Sequence, residues 1–115
     1  MENCGGLKTA GDNVSEEGNP MEALARRYLD TACACMSPNP RRIEILSNLV
    51  REYMVDGVVE LTWEGCHTYN VEAYQIEKAV TQQFACPYLH ITTDYSLNDT
   101  GQLKTRIEAF LEMLA

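Results

Sequence analysis

Apolar residues recur along this chain at two different spacings, which predict that helices alternate with strands. The clearest helix covers residues 103–114, where apolar side chains return every three or four positions and so form one face. Two short runs, residues 58–62 and 88–92, are rich in β-branched and aromatic residues, as strands usually are. The first run is apolar enough to predict a strand that is buried on both faces.

Three further helices follow from turn and cap residues. Pro20 and Pro40 each stand where the first turn of a helix accepts proline. The helix after Pro40 should end near Val55, because Asp56 and Gly57 form a turn and Gly57 can supply a positive φ. Asn70 is a good cap residue and predicts a helix over residues 71–83, between the two strands.

The order strand, helix, strand predicts a βαβ unit, which requires parallel strands and a right-handed crossover. We therefore expect an α/β fold with a flavodoxin- or Rossmann-like parallel sheet. Residues 1–19 are predicted to form a loop or tail, and residues 20–115 a single domain. Residues 31–36 are predicted to form either a short third strand or an extended connection. Such a small sheet would leave strand edges uncovered, so the domain should belong to a larger unit or pair with a partner.

The charge balance and the cysteine content narrow the possible partners and location. Asp and Glu number 17 against 9 Lys and Arg, so the formal charge is -8 and no basic surface for nucleic acid is expected. No run of about 18 apolar residues predicts a membrane span. The five cysteines occur without a secretory signal, which predicts a reducing, cytoplasmic environment.

Cys66 is the principal candidate for chemistry. It is predicted at the carboxyl end of a strand and beside a helix amino terminus, a position that favours a thiolate. A nucleophile would need a base, yet the adjacent His67 should point away and His90 lies within a strand. A zinc site is suggested only by the close pair Cys33 and Cys35. Spacing alone leaves open a nucleophile, a metal ligand or a buried free cysteine.

The second strand ends at the same sheet edge and is followed by Asp94, Tyr95 and Ser96. In open parallel sheets the crevice at the carboxyl ends of the strands is where ligands bind. We therefore expect these residues to lie near Cys66.

Several segments together resemble the carboxyl-terminal portion of subunits of the 2-hydroxyacyl-CoA dehydratase and benzoyl-CoA reductase family, of the 2-hydroxyglutaryl-CoA dehydratase D-component type. The similarity covers nearly the whole chain. It is specific because a cysteine turn, an Asp-Tyr-Ser loop and a Gly-Gln-Leu-x-Thr-Arg helix start occur together in this order. The segments are ENCGGLKT, ALARRYL, CMSPNPRR, EYMVDGVVELTWEGCHTYNVEAY and PYLHITTDYSLNDTGQLKTRIEAFLEML.

The resemblance implies a lyase that works without oxygen as a heterodimer. Such subunits hold a 4Fe-4S cluster through scattered cysteines, and a separate ATP-hydrolysing activator supplies one electron. The acyl-CoA thioester becomes a ketyl radical, and a 2-hydroxyacyl-CoA loses water to give an enoyl-CoA. The alternatives are a benzoyl-CoA reductase-like subunit and a non-catalytic, truncated module that pairs with a partner subunit.

The family motif carries over to particular residues. Cys66 matches a late cluster cysteine and is the first choice as a ligand, while Cys33 and Cys35 lie in a region where relatives also carry cysteine. Asp94, Tyr95 and Ser96 match a loop that is expected to bind substrate. Family subunits are much longer than this chain, so the chain alone is expected to be inactive.

Overall fold

The structure is a computed structural model that describes residues 13–94 and 96–115. These residues fall into two compact units, the first ending at Arg42 and the second comprising Ile43–Ala115. The described elements are four α-helices, two strands and one π-helical segment that continues α3. They are α1 (Pro20–Leu29), α2 (Pro40–Tyr53), β1 (Val58–Trp63), α3 (His67–Lys78), the π-helical segment (Ala79–Gln83), β2 (Tyr88–Thr93) and α4 (Thr100–Leu114).

In the first unit, α1 begins where its proline predicts. Asn19 caps the helix, because its Oδ1 accepts a hydrogen bond of 2.9 Å from the amide of Met21. Residues 31–36 form a connection with a turn, and not a third strand; the amide of Met36 donates to the carbonyl of Cys33 at 2.8 Å. The small residues in this stretch have too little side-chain surface to stabilise a strand by packing.

The second unit contains the predicted strand-helix-strand arrangement. The strands β1 and β2 are parallel, and their register runs from Val58 opposite Tyr88 to Trp63 opposite Thr93. Helix α3 connects them and packs against both. The predicted α/β fold with a parallel βαβ unit is therefore confirmed.

The burial of β1 differs from the prediction that both of its faces are covered. Glu60 and Thr62 are only 8% and 2% exposed, whereas Val59 and Leu61 are 52% and 50% exposed. The polar residues lie on the face that α3 covers. On the other face, Ile91 of β2 is buried but its register partner Leu61 is not. Helix α4 packs against β2, so it shields that strand and leaves the apolar face of β1 half open.

Gly57 has a different role from the predicted one. Helix α2 ends at Tyr53, and Met54 rather than Gly57 adopts the positive φ, at 47°. A Cβ atom added to Gly57 would lie 2.7 Å from Cζ of Phe110 and 3.0 Å from Cδ2 of Leu114. Glycine is needed here because α4 packs closely over the start of β1.

Candidate functional site at the carboxyl edge of the sheet

The carboxyl ends of both strands meet at one edge, as the βαβ topology predicts. Trp63 is paired with Thr93, and the amide of Glu64 donates to the carbonyl of Thr93 at 2.8 Å. The turn that holds Cys66 leaves β1 at this edge, and Asp94 follows β2 at the same edge. The parallel register therefore brings the Cys66 turn and the segment after β2 to one end of the sheet.

Cys66 occupies the cap position at the start of α3. Gly65 makes the preceding turn with a φ of 84°, and the amide of Cys66 donates to the carbonyl of Trp63 at 2.9 Å. The thiol is half-buried, and its Sγ lies 3.9 Å from Oγ1 of Thr68. None of the four cysteines among the described residues forms a disulfide. Cys66 therefore carries a thiol at the edge where parallel sheets bind ligands.

Asn70 is not the cap of α3, in contrast to the prediction. The helix begins at His67, and the amide of Asn70 donates to the carbonyl of Cys66 at 3.1 Å, which places Asn70 within the first turn. Its side chain makes two further bonds. Nδ2 donates to the same Cys66 carbonyl at 3.0 Å, and Oδ1 accepts from the hydroxyl of Thr92 at 3.2 Å. These bonds join the Cys66 turn to the end of β2.

Two more polar pairs lie on the face of the sheet that α3 covers. The hydroxyl of Tyr88 donates to Glu60 Oε2 at 2.5 Å, and Thr62 Oγ1 lies 2.9 Å from Nε2 of His90. In each pair the β1 residue lies two positions beyond the register partner of the β2 residue, toward the carboxyl edge. His90 is thus held within the sheet, as the sequence indicated, and it is not a base for Cys66.

The segment after β2 is organised by an Asp-Ser contact. The amide of Ser96 donates to Oδ1 of Asp94 at 2.6 Å. The hydroxyl of Ser96, followed by its amide, lowers the pKa of Asp94 below the ordinary 3.8, because both donors stabilise the carboxylate. Asp94 is therefore negatively charged at neutral pH. Tyr95, the other predicted residue of this loop, lies outside the described residues.

The remaining predicted ligands belong to the first unit. Cys33 is half-buried and Cys35 is exposed, both in the connection between α1 and α2. Within residues 13–94 and 96–115, no three His, Cys, Asp or Glu side chains form a group that could hold a metal ion. Cys66 thus presents one thiol at the carboxyl edge of the sheet.

None of the helices among the described residues combines enough length with enough apolar character to cross a bilayer.

Sequence comparisons agree with the segments that carry the resemblance. The family described as 2-hydroxyglutaryl-CoA dehydratase, D-component, matches residues 1–114 of this chain. The protein YjiM of Escherichia coli (strain K12), which is named as a dehydratase subunit, is 50% identical over 113 residues, which cover 98% of this chain and 30% of that protein. The (R)-phenyllactyl-CoA dehydratase beta subunit of Clostridium sporogenes is 25% identical over 100 residues, covering 86% of this chain and 26% of that protein.

The chain therefore spans less than a third of the length of these curated relatives.

Proposed function

Since this chain belongs to the 2-hydroxyglutaryl-CoA dehydratase D-component family, we propose that it forms the carboxyl-terminal α/β portion of an iron-sulfur 2-hydroxyacyl-CoA dehydratase subunit. The proposed reaction removes water from a 2-hydroxyacyl-CoA and leaves an enoyl-CoA. The proposed location is the cytoplasm, where thiols stay reduced.

The observation that carries the proposal is the position of Cys66. Its thiol lies at the carboxyl edge of a parallel sheet, at the cap of α3 and outside any disulfide. Thiolates are the ordinary protein ligands of iron-sulfur clusters. A 4Fe-4S cluster bound there would supply one-electron chemistry. Cys66 would provide one of its ligands, and Cys33 and Cys35 are weaker candidates for others.

The segment after β2 is proposed to orient the acyl-CoA. Asp94 is ionised at neutral pH, so it can accept hydrogen bonds from substrate donors but cannot donate a proton. Ser96 holds that carboxylate in place through its amide. Such a fixed acceptor selects the position of a substrate hydroxyl or amide before reaction.

Further chains are required by this proposal. A second dehydratase subunit and an ATP-hydrolysing activator would complete the assembly. Cluster ligands beyond Cys66 and the weaker candidates Cys33 and Cys35 would come from outside the described residues. We therefore expect the 115-residue chain alone to be inactive.

The proposal is tested by replacing Cys66 within an assembly. The chain is co-expressed with a second dehydratase subunit and purified without oxygen, and iron and sulfide are measured per complex. Cys66→Ser should lower the iron content and abolish dehydration in the presence of activator and ATP, because a hydroxyl is a poor ligand for this cluster.

Cys86→Ser is the matched control. Cys86 precedes β2 and lies at the opposite end of the sheet, where its Sγ is 3.7 Å from the carbonyl of Val55. This variant should keep the iron content of the unsubstituted chain. Full iron content in Cys66→Ser would refute the assignment of Cys66.

Comparing 2-hydroxyacyl and aromatic thioesters as substrates separates a dehydratase from a benzoyl-CoA reductase-like subunit.

A second candidate is a non-catalytic module that pairs with a partner subunit. It is favoured by the half-open face of β1, where Val59 and Leu61 expose apolar surface. Colourless protein that forms stable complexes after anaerobic co-purification would support this candidate. A brown, iron-containing complex would support the dehydratase subunit instead.

A further inference from the structure

We infer that Asn70 is a positioning residue that fixes the turn carrying Cys66 against β2. The inference rests on the proposed function in one respect, namely that the position of Cys66 matters for ligand binding. The contacts themselves are independent of any metal. Asn70, Thr92 and the Cys66 carbonyl together form what we call the Asn70 clamp.

The clamp has one arrangement that satisfies all of its donors and acceptors. A backbone carbonyl only accepts, so the amide nitrogen of Asn70 must face Cys66, at 3.0 Å. The amide oxygen then faces β2 and accepts from the hydroxyl of Thr92, at 3.2 Å. A single side chain thereby joins the β1–α3 turn to the neighbouring strand.

Backbone bonds link Cys66 to Trp63 and Glu64 to Thr93, and the Asn70 side chain adds the bond that ties the Cys66 carbonyl to β2. No side-chain bond caps α3 at Cys66, and the contact of its Sγ with Thr68 is long, at 3.9 Å. Gly65, with a φ of 84°, precedes it and has open space where a Cβ would stand. A turn built on glycine is free to move unless other bonds restrain it.

The residue type supports a role beyond helix formation. Asparagine has a lower helix propensity than alanine, because its amide competes for backbone bonds. At position 70 the amide makes such a local bond to the backbone and also reaches a second element.

The first experiment measures amide hydrogen exchange in the 115-residue chain. Thr92→Val is nearly isosteric and removes only the hydroxyl, whereas Asn70→Ala removes both side-chain bonds. Thr92→Val should accelerate exchange at the Cys66 and Asn70 amides about fivefold, the factor that corresponds to roughly 1 kcal/mol for one hydrogen bond, and Asn70→Ala by at least as much because it removes two bonds. The double variant should exchange at the rate of Asn70→Ala, since both substitutions act on the same clamp.

Two matched variants separate positioning from a general loss of structure. Thr92→Ser keeps a hydroxyl and should restore slow exchange. Thr81→Val removes a hydroxyl that bonds the Glu77 carbonyl at 2.7 Å, far along the helix, and should leave the Cys66 amide unchanged. Unchanged exchange at Cys66 in both Thr92→Val and Asn70→Ala would overturn the clamp. Equal acceleration in all amides would overturn it as well, because that result reports global destabilisation.

The second experiment uses the co-purified assembly and electron paramagnetic resonance after reduction. Thr92→Val should keep its iron but change the spectrum, and Thr92→Ser should return the original spectrum. An unchanged spectrum in Thr92→Val would overturn the link between the clamp and ligand geometry. Full iron in Cys66→Ser would refute the proposed function while leaving the exchange result on the Asn70 clamp intact.

Discussion

At the scale of single residues, the carboxyl edge is arranged by short local bonds. Cys66 is set by the turn after β1, and Asp94 is set by Ser96. The sequence placed both at one sheet edge, because parallel strands must end on the same side. It could not predict the bonds of Asn70, since these depend on the separation of α3 from the end of β2.

The pKa of Asp94 provides a test at this scale. Ser96→Ala should raise that pKa toward 3.8, because the hydroxyl of Ser96 is the largest cause of its lowering. The titration is followed by NMR of the Asp94 carboxylate carbon. Ser15→Ala, in a separate segment, serves as the control and should leave the pKa of Asp94 unchanged.

The sign of the associated pH dependence follows from the direction of the shift. A carboxyl whose folded pKa is lowered stabilises the fold above its unfolded pKa, near 3.8, and loses that contribution as the pH falls through the folded value. Order in the Asp94–Ser96 contact should therefore persist at neutral pH and be lost as the pH falls through the lowered pKa of Asp94, which lies below 3.8. An Asp94 pKa that does not respond to Ser96→Ala would contradict this contact.

At the scale of elements, packing decides which residue performs a role that the sequence only suggests. The sequence correctly indicated that α2 stops before β1, yet Met54 makes the positive-φ position and Gly57 makes room for α4. Similarly, the apolar run of β1 predicted a strand, but only the position of α3 determined that Glu60 and Thr62 face the interior. Tyr88 supplies the hydrogen bond that makes burial of Glu60 acceptable.

The contact between α4 and Gly57 can be tested by adding one methyl group. Gly57→Ala should lower the free energy of unfolding by about 1–3 kcal/mol, the usual cost of overpacking, because Phe110 is buried and cannot move away freely. Urea unfolding provides the measurement.

Gly101→Ala is the control for this substitution. A Cβ at Gly101 would contact nothing within 4 Å, and the residue lies in α4. Alanine should therefore stabilise the chain by about 0.5–1 kcal/mol, owing to its helix propensity. If Gly57→Ala were equally stabilising, the close packing of Phe110 on Gly57 would be wrong.

At the scale of the whole molecule, negative charge is in large excess. The formal charge is -8, so repulsion should destabilise the compact state, while exposed ion pairs such as Glu22 with Arg26 contribute little, about 0.2–1 kcal/mol each. Chain length matters at the same scale. The chain spans less than a third of the length of its curated relatives.

Salt should therefore raise the thermal stability of the chain. Between roughly 0.01 and 0.15 M NaCl the screening length falls from about 30 to about 8 Å, which weakens repulsion across the molecule. The midpoint of thermal unfolding should rise. Glu52→Lys reverses an exposed charge and should reduce the salt-dependent rise of the midpoint. A midpoint that falls with salt in the unsubstituted chain would show that attractive pairs outweigh the repulsion.

The sequence by itself determined the helices, the two strands, their parallel order and the shared edge of Cys66 and Asp94. These features follow from local periodicity, proline and glycine positions and the handedness of the crossover, all of which act along the chain. The tertiary structure alone decided the buried face of β1, the glycine requirement at Gly57 and the Asn70 clamp. Each of these depends on which atoms of a distant segment lie opposite, and a one-dimensional pattern does not contain that information.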